Sequence, residues 1–291
     1  MTALDTATAV LIMLIWGINF AIAKIGLTEL PPILLVAFRF SLVAALLCPF
    51  YRLPWRAIPG VIGLAITLGG IHFSLMFSGV ARLDAATSAI LNQSQVVFAA
   101  ILAATLYNDR MGWRRLLGLG MALLGLVLVV GTPAIRPDML GVILVLLASL
   151  VWAIANIQIK RIGPINGLAL SGWMAFFAAP ELFVVSYFTE HTRPTEIVDI
   201  GWRSGGTIVY MAVFVSIISY TLWYPLMRKY SVNQIMPFTL LVPVFGVLGG
   251  VLLLGDSIHV NTLLGGIATI IGVGIIVVRR PQLAEPKPDR L

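Results

Sequence analysis

Apolar residues in this chain fill ten long continuous runs separated by short polar or basic connections. A helix needs about 20 apolar residues to cross the ~30 Å hydrocarbon core of a bilayer. The runs at 4–26, 31–51, 57–80, 84–106, 114–131, 138–159, 166–188, 204–228, 232–254 and 260–279 are therefore predicted as membrane-spanning helices. Most connections are only a few residues, which makes successive helices antiparallel neighbours. The longest, 189–203, carries Glu190, His191, Arg193, Glu196, Asp199 and Arg203 and reads as an interfacial or surface loop. Residues 281–291, PQLAEPKPDRL, are polar and Pro-rich and are expected to be disordered.

The pattern also repeats. A gapless shift of 147 positions lays Val97-Phe98 on Val244-Phe245, Asp109 on Asp256, Leu116-Leu117-Gly118 on Leu263-Leu264-Gly265 and Gly125 on Gly272. A shift of 136 lays Trp16 on Trp152 and Lys24 on Lys160. Each half holds five spans, an odd number, so the second copy enters the membrane from the opposite side. The predicted fold is an all-α polytopic membrane protein of ten transmembrane helices in a 5+5 inverted-topology repeat, with units at 1–132 and 133–280. Inverted repeats of this kind build secondary transporters, with substrate held between the halves near the midplane.

Composition excludes a soluble domain: 59% of residues are hydrophobic and 11% charged, with mean hydropathy +1.01. The net charge of +7 is scattered between the apolar runs, which argues for topological anchoring and against nucleic acid. With the N-terminus inside, thirteen Lys and Arg side chains fall on the cytoplasmic side and five (Lys24, Arg82, Arg136, Arg193, Arg203) on the other. The positive-inside rule then places both termini in the cytoplasm, and a multi-pass protein of the cytoplasmic (inner) membrane is expected. The first apolar run has no basic leader or small-residue cleavage site and is read as a retained span. Cys48 is the single cysteine, so no intramolecular disulfide forms.

Several motifs carry a resemblance to a known family. They are W-G-x-N in helix 1 (Trp16, Gly17, Asn19), Arg39-Phe40 in helix 2, Asn108-Asp109-Arg110 after helix 4 and Gly255-Asp256 after helix 9. With Gly-rich helices 5 and 10 they make the chain resemble the drug/metabolite transporter (DMT) superfamily and its EamA-type exporters, among which it looks most like the YddG-type exporters of aromatic and other amino acids. The resemblance spans residues 4–279. It departs from the family at Asp109 and Asp256, where Glu is common. It implies export of amino acids or related metabolites from the cytoplasm, with no cofactor; a drug or other small-metabolite exporter on the same scaffold is the alternative.

Polar residues inside spans mark the transport path, because in lipid they must face a protein partner or a water-filled cavity. In helix 4, Ser88, Asn92 and Gln95 fall at i, i+4 and i+7 and are expected to present amides and a hydroxyl on one face. Helix 9 instead carries Pro237 and Pro243, candidates for a hinge because proline frees backbone carbonyls. Helices 3 and 8 pair His72 with Ser219, and helix 8 adds Tyr220 and Trp223 as aromatic walls. Tyr224 suits the interfacial belt better. Helices 1 and 6 contribute Trp16, Asn19, Trp152 and Asn156, each Trp too deep for that belt. For every one of these residues, plain helix packing is the competing reading.

Two ionisable residues lie well inside spans. Arg39 and Glu181 sit at matched depth in helices 2 and 7, so they are expected either to pair or to snorkel separately. His72 and Glu181 are the candidates for proton coupling. Gly118, Gly120, Gly125, Gly265, Gly266, Gly272 and Gly274 in helices 5 and 10 read as close-packing scaffold, with monomer or dimer left open. No span offers a nucleophile with a positioned base, a metal-ligand set or a filter sequence, which argues against an intramembrane enzyme and a channel.

Overall fold

The computed structural model describes residues 1–106, 112–130, 138–191, 200–230 and 232–278, and among these every regular element is helical. Ten helical rods follow in order: α1 (Ala3–Gly26), α2 (Pro32–Leu47), α3 (Trp55–Arg82), α4 (Ala85–Leu106), α5 (Trp113–Val130), α6 (Met139–Ile162), α7 (Gly167–Thr189), α8 (Trp202–Lys229), α9 (Val232–Leu254) and α10 (Val260–Val278). Seven are long and apolar enough to cross a membrane, whereas α2, α5 and α10 carry shorter apolar stretches. Helix α2 stops at Leu47, short of its expected bound: Cys48 keeps helical backbone and donates its N–H to Ala44 O (2.9 Å), but Pro49 has no N–H to extend the ladder and the chain turns there. Asn108, Asp109, Arg110, Arg136, Arg193 and the 281–291 tail lie outside the described residues.

Helix ends leave backbone N–H groups that need partners, and acidic or amide side chains supply them. Asp138 accepts from Leu140 and Gly141 N–H at the start of α6 (2.9 and 3.3 Å), and Asn166 does the same for Leu168 and Ala169 in α7. Two caps are long-range. Glu190, beyond α7, accepts from Ile33 and Leu34 N–H of α2 (2.8 and 3.1 Å). Glu29, beyond α1, accepts from Ser204 N–H and Oγ–H of α8, both at 2.8 Å. Those bonds hold the Glu29 carboxyl below the usual carboxylate range.

Four rods change gauge along their length. In α3 a π-helical stretch, Ala65–His72, interrupts the α-helix, and in α8 another runs over Tyr210–Ile218. The 147-residue shift lays Ala65 on Ala212 and Ile71 on Ile218, so both halves widen at the same place. Two serines of α8 donate to the carbonyls five residues back: Ser216 to Met211 O (3.0 Å) and Ser219 to Phe214 O (2.8 Å). In α9, a 3₁₀ stretch (Met236–Leu240) precedes an α-helix over Leu241–Gly249, with Pro237 opening the first and Pro243 in the first turn of the second. A missing N–H breaks no helix bond at such positions.

The fourth rod is interrupted near its middle. Helix α4 stops at Leu91, Asn92 and Gln93 form a turn, and the helix resumes at Ser94. Hydrogen bonds tighten to three-residue spacing there (Gln93 N to Ile90 O and Val96 N to Gln93 O, each 3.0 Å). Each residue then advances by about 120° instead of 100°. Residues three apart eclipse at that gauge, so Asn92 and Gln95 stay on one side of the rod, and the Asn92 N–H to Ser88 O bond (3.0 Å) keeps Ser88 one helical turn behind them.

The rods pack in a definite order. Helix α1 lies on α8 and α9, α6 on α3 and α4, α2 on α7, and α5 on α10. The α5–α10 crossing is backbone against backbone: a Cβ on Gly118 would stand 2.8 Å from Gly272 O, and one on Gly272 would collide with Ala122 N and Gly118 O. Gly120 has nothing within 4 Å of such an atom. Gly272→Val is therefore expected to cost about 1–3 kcal/mol through overpacking, whereas Gly120→Val leaves stability unchanged. Melting of the two detergent-solubilised variants checks this; equal melting temperatures would contradict the close crossing.

Candidate functional site

The polar and aromatic residues that converge come from α1, α2, α3 and α8. Trp16, half-buried on α1, donates its indole N–H to Val215 O of α8 (3.4 Å). Its ring centroid lies 5.7 Å from Tyr220 and 5.5 Å from Trp223. Tyr220 in turn stacks on Tyr224 at 5.6 Å. One turn beyond Trp16, the Oδ1 of Asn19 is buried without a hydrogen-bond partner. Tyr210 OH donates to Ile15 O (2.8 Å), tying the π stretch of α8 to the same part of α1.

Arg39 is the residue that the sequence reading misplaced. It neither snorkels nor meets Glu181: only 5% of it is exposed, and Nη2 donates to Ser216 Oγ of α8 at 3.0 Å. The guanidinium lies 5.1 Å from the Phe73 centroid and 5.6 Å from that of Phe40, within cation–π range. Its Nε has no partner. Glu181 instead presses its carboxylate on the backbone at Gly70, where a Cβ would collide with it. Ser216 was visible in the sequence only as one more hydroxyl on α8. What singles it out is its contact with α2.

His72 ends the π stretch of α3. It is buried, and Nδ1 lies 2.8 Å from Ala148 O of α6, so Nδ1 carries the proton and donates. Its ring meets Phe73 edge-on at 4.8 Å. The remaining expected residues stand apart from this cluster or bond locally. Ser88 Oγ donates to Asp84 O (2.8 Å) and Ser219 Oγ to Phe214 O, so both serve their own helices. On α6, Asn156 donates to Trp152 O (2.8 Å), which uses one residue of the pair to bind the backbone of the other. Asn92 and Gln95 are half-buried at the turn in α4.

The two ends of the bundle differ. At one, Lys24 in the last turn of α1 donates to Leu83 O and to Val80 O (3.3 Å) at the α3–α4 turn. Asp256 after α9 accepts from Ala85 N–H of α4 (3.2 Å), and Arg82 pairs with Asp138 at 2.7 Å. At the other, Asp5 of α1 accepts from Lys229 Nζ (2.7 Å) and Tyr230 OH (2.5 Å). Lys160, the residue that the 136-residue shift pairs with Lys24, is exposed.

Burial pushes the Asp256 carboxyl above the usual carboxylate range; Ala85 N–H and Lys24 oppose that shift, and the charge of Asp84 adds to it. A raised folded-state value means that the folded protein holds this proton more tightly than the unfolded chain. The resulting stability is present below the ordinary value of 3.8 and is lost as pH rises through the folded value. The melting temperature of the parent protein relative to Asp256→Asn should fall on raising pH from about 4 and then level off. A difference that does not vary with pH would show that Asp256 does not titrate with folding.

Comparison with known proteins places this geometry. The sequence profile described as the EamA-like transporter family matches residues 6–131 and again 139–278. The chain is 28% identical over 286 residues to a probable amino-acid metabolite efflux pump of Escherichia coli (strain K12), covering 95% of this chain and 96% of the relative. It is 27% identical to a protein of the same description from Salmonella typhimurium, with the same coverage. One solved crystal structure superimposes with TM-score 0.64 at 17% identity, covering 94% of this chain and 96% of that one, which establishes likeness of fold alone.

Proposed function

This chain belongs to the EamA-like transporter family and is a multi-pass membrane protein, and from that premise we propose that it exports amino acids or related metabolites by alternating access. The observation that carries the reading is the cluster of Trp16, Arg39, His72, Ser216 and Tyr220 between α1, α2, α3 and α8, with the unpartnered Oδ1 of Asn19 one turn beyond Trp16. Aromatic faces there favour an apolar or aromatic substrate body, while the arginine and free amide oxygen offer polar ends. The printed descriptions of the relatives, amino-acid metabolite efflux pumps, support the substrate class.

The mechanism rests on two units, residues 1–132 and 133–280, related by inversion. Exchanging each helix for the one five places on turns the α1–α8 and α1–α9 pairs into α6–α3 and α6–α4, and leaves α2–α7 and α5–α10 unchanged. All these pairs pack. The matched π stretches of α3 and α8 support the same symmetry. Against it stands one asymmetry of state: Lys24 is engaged and Lys160 is exposed. With both termini in the cytoplasm, the Lys24 end is the external one, and its bonds to the α3–α4 turn would hold that end together. Rocking would release Lys24 and engage Lys160, with Pro237 and Pro243 providing the flexible segment of α9. His72 and Glu181 are the groups through which a proton gradient would act.

Proteoliposomes loaded with labelled leucine, phenylalanine and cysteine test this, with and without an imposed pH gradient. Saturable flux of at least one amino acid is expected, reduced about tenfold or more by Trp16→Ala through loss of the aromatic wall. Transport of a cationic dye with no amino-acid flux would replace the substrate class. Flux indifferent to the gradient would remove the coupling role of His72 and Glu181.

A further inference from the structure

We infer that Arg39 is the receptor for the substrate's carboxylate, and hence that the transported class is compounds bearing a free carboxylate next to an apolar or aromatic body. The inference rests on the exporter reading above and assigns it a chemistry. Three observations lead to it. First, the guanidinium is buried about two turns into α2, roughly 10 Å from its start at 1.5 Å per residue, and only 5% of the residue is exposed. A charge at such a depth is expensive unless it is paired. Among the described residues no carboxylate pairs with it, and its one hydrogen bond is to a neutral hydroxyl, Ser216 Oγ.

Second, Nε is buried and has no partner, while Nη2 is the atom held by Ser216. Guanidinium binds carboxylate through two parallel N–H···O bonds, and here the serine fixes the plane of the fork while a donor of that fork stays free. The hydroxyl is itself oriented, since it donates to Met211 O (3.0 Å) and so presents a lone pair to Arg39. A serine bonded in this way positions the arginine without neutralising it.

Third, the free cation adjoins the aromatic cluster. Arg39 and Trp16 reach consecutive residues of α8: the arginine bonds Ser216 and the indole bonds Val215 O. Tyr220, one turn further, is in ring contact with Trp16, and Phe73 lies beneath the guanidinium. A substrate whose carboxylate meets Arg39 therefore places its body against Trp16 and Tyr220. The unpartnered Oδ1 of Asn19, one turn beyond Trp16, is an acceptor suited to an ammonium group.

The test compares matched ligands in proteoliposomes: phenylalanine, phenylalaninamide and phenylethylamine, and likewise leucine, leucinamide and 3-methylbutylamine. Competition against the transported amino acid gives each affinity. Acids should bind more tightly than their amides by about ten- to hundredfold in the parent protein, the range for charge-assisted hydrogen bonds. Arg39→Gln should erase that preference, and Arg39→Lys, which keeps charge but not the fork, should keep part of it. Amides that compete as well as acids in the parent protein would overturn the inference even if Arg39→Gln does not fold, and would leave amino-compound export intact. A folded Arg39→Gln protein that retains the acid preference would overturn it too. If none of the six compounds competes or moves, the exporter reading fails, and the role of Arg39 with it.

Discussion

A polar atom carried into the hydrocarbon of a bilayer has no water to return to, and the organisation of this protein follows from that constraint. The backbone meets it by being helical throughout the described residues, and the helix ends meet it with side chains brought from elsewhere. Glu29 and Glu190 each leave the end of one helix to cap another, so that capping also fixes which helices are neighbours at that end of the bundle. Where α8 widens into a π-helix, Ser216 and Ser219 serve the carbonyls five residues behind them. Among the described residues five buried side-chain atoms escape the rule, and two of them, Arg39 Nε and Asn19 Oδ1, belong to helices that build the aromatic cluster.

Packing and recognition use different residues. Close crossings are made by glycine and alanine, as between Gly118 and Gly272 or between Gly17 and Gly246, where backbones approach too closely for any larger side chain. The Gly118–Gly272 approach recurs at Gly125–Gly265, positions that the 147-residue shift makes equivalent. The candidate site breaks that equivalence. His72 stands where Ser219 stands in the other half, and the aromatic partners of Trp16 come from α8 with no matching ring contact at Trp152 among the described residues. On the proposed exporter reading, the repeated packing would supply a two-sided geometry and the unmatched lining chemical selectivity.

Much of this was legible in the chain. Hydrophobic runs located the rods to within a few residues because the bilayer demands a minimum apolar length whatever the packing. Pro49, with no N–H to extend the ladder, ends α2 by a local rule that the sequence already displayed. The failures are instructive for the opposite reason. Uniform helix was expected through Ser88, Asn92 and Gln95, and the turn at Asn92-Gln93 breaks it, resetting the angle per residue by about 20°. Nothing in the local sequence announces a π stretch in α3 or α8, since the hydrogen-bond gauge there depends on which carbonyls neighbouring helices and serines satisfy.

By itself, the sequence determined the quantities that depend on one helix at a time: which segments are apolar enough for a membrane, how they are spaced, and which residues are polar at depth. Arg39 was already conspicuous as a lone cation in an apolar run. Its partner was decided only in three dimensions. Matched depth made Glu181 on α7 the obvious candidate, yet depth is one coordinate, and a hydrogen bond also requires the right rotation about each helix axis. Rotation is set by glycine contacts and π widening in helices distant along the chain, and it turned Arg39 to Ser216 while seating Glu181 against Gly70.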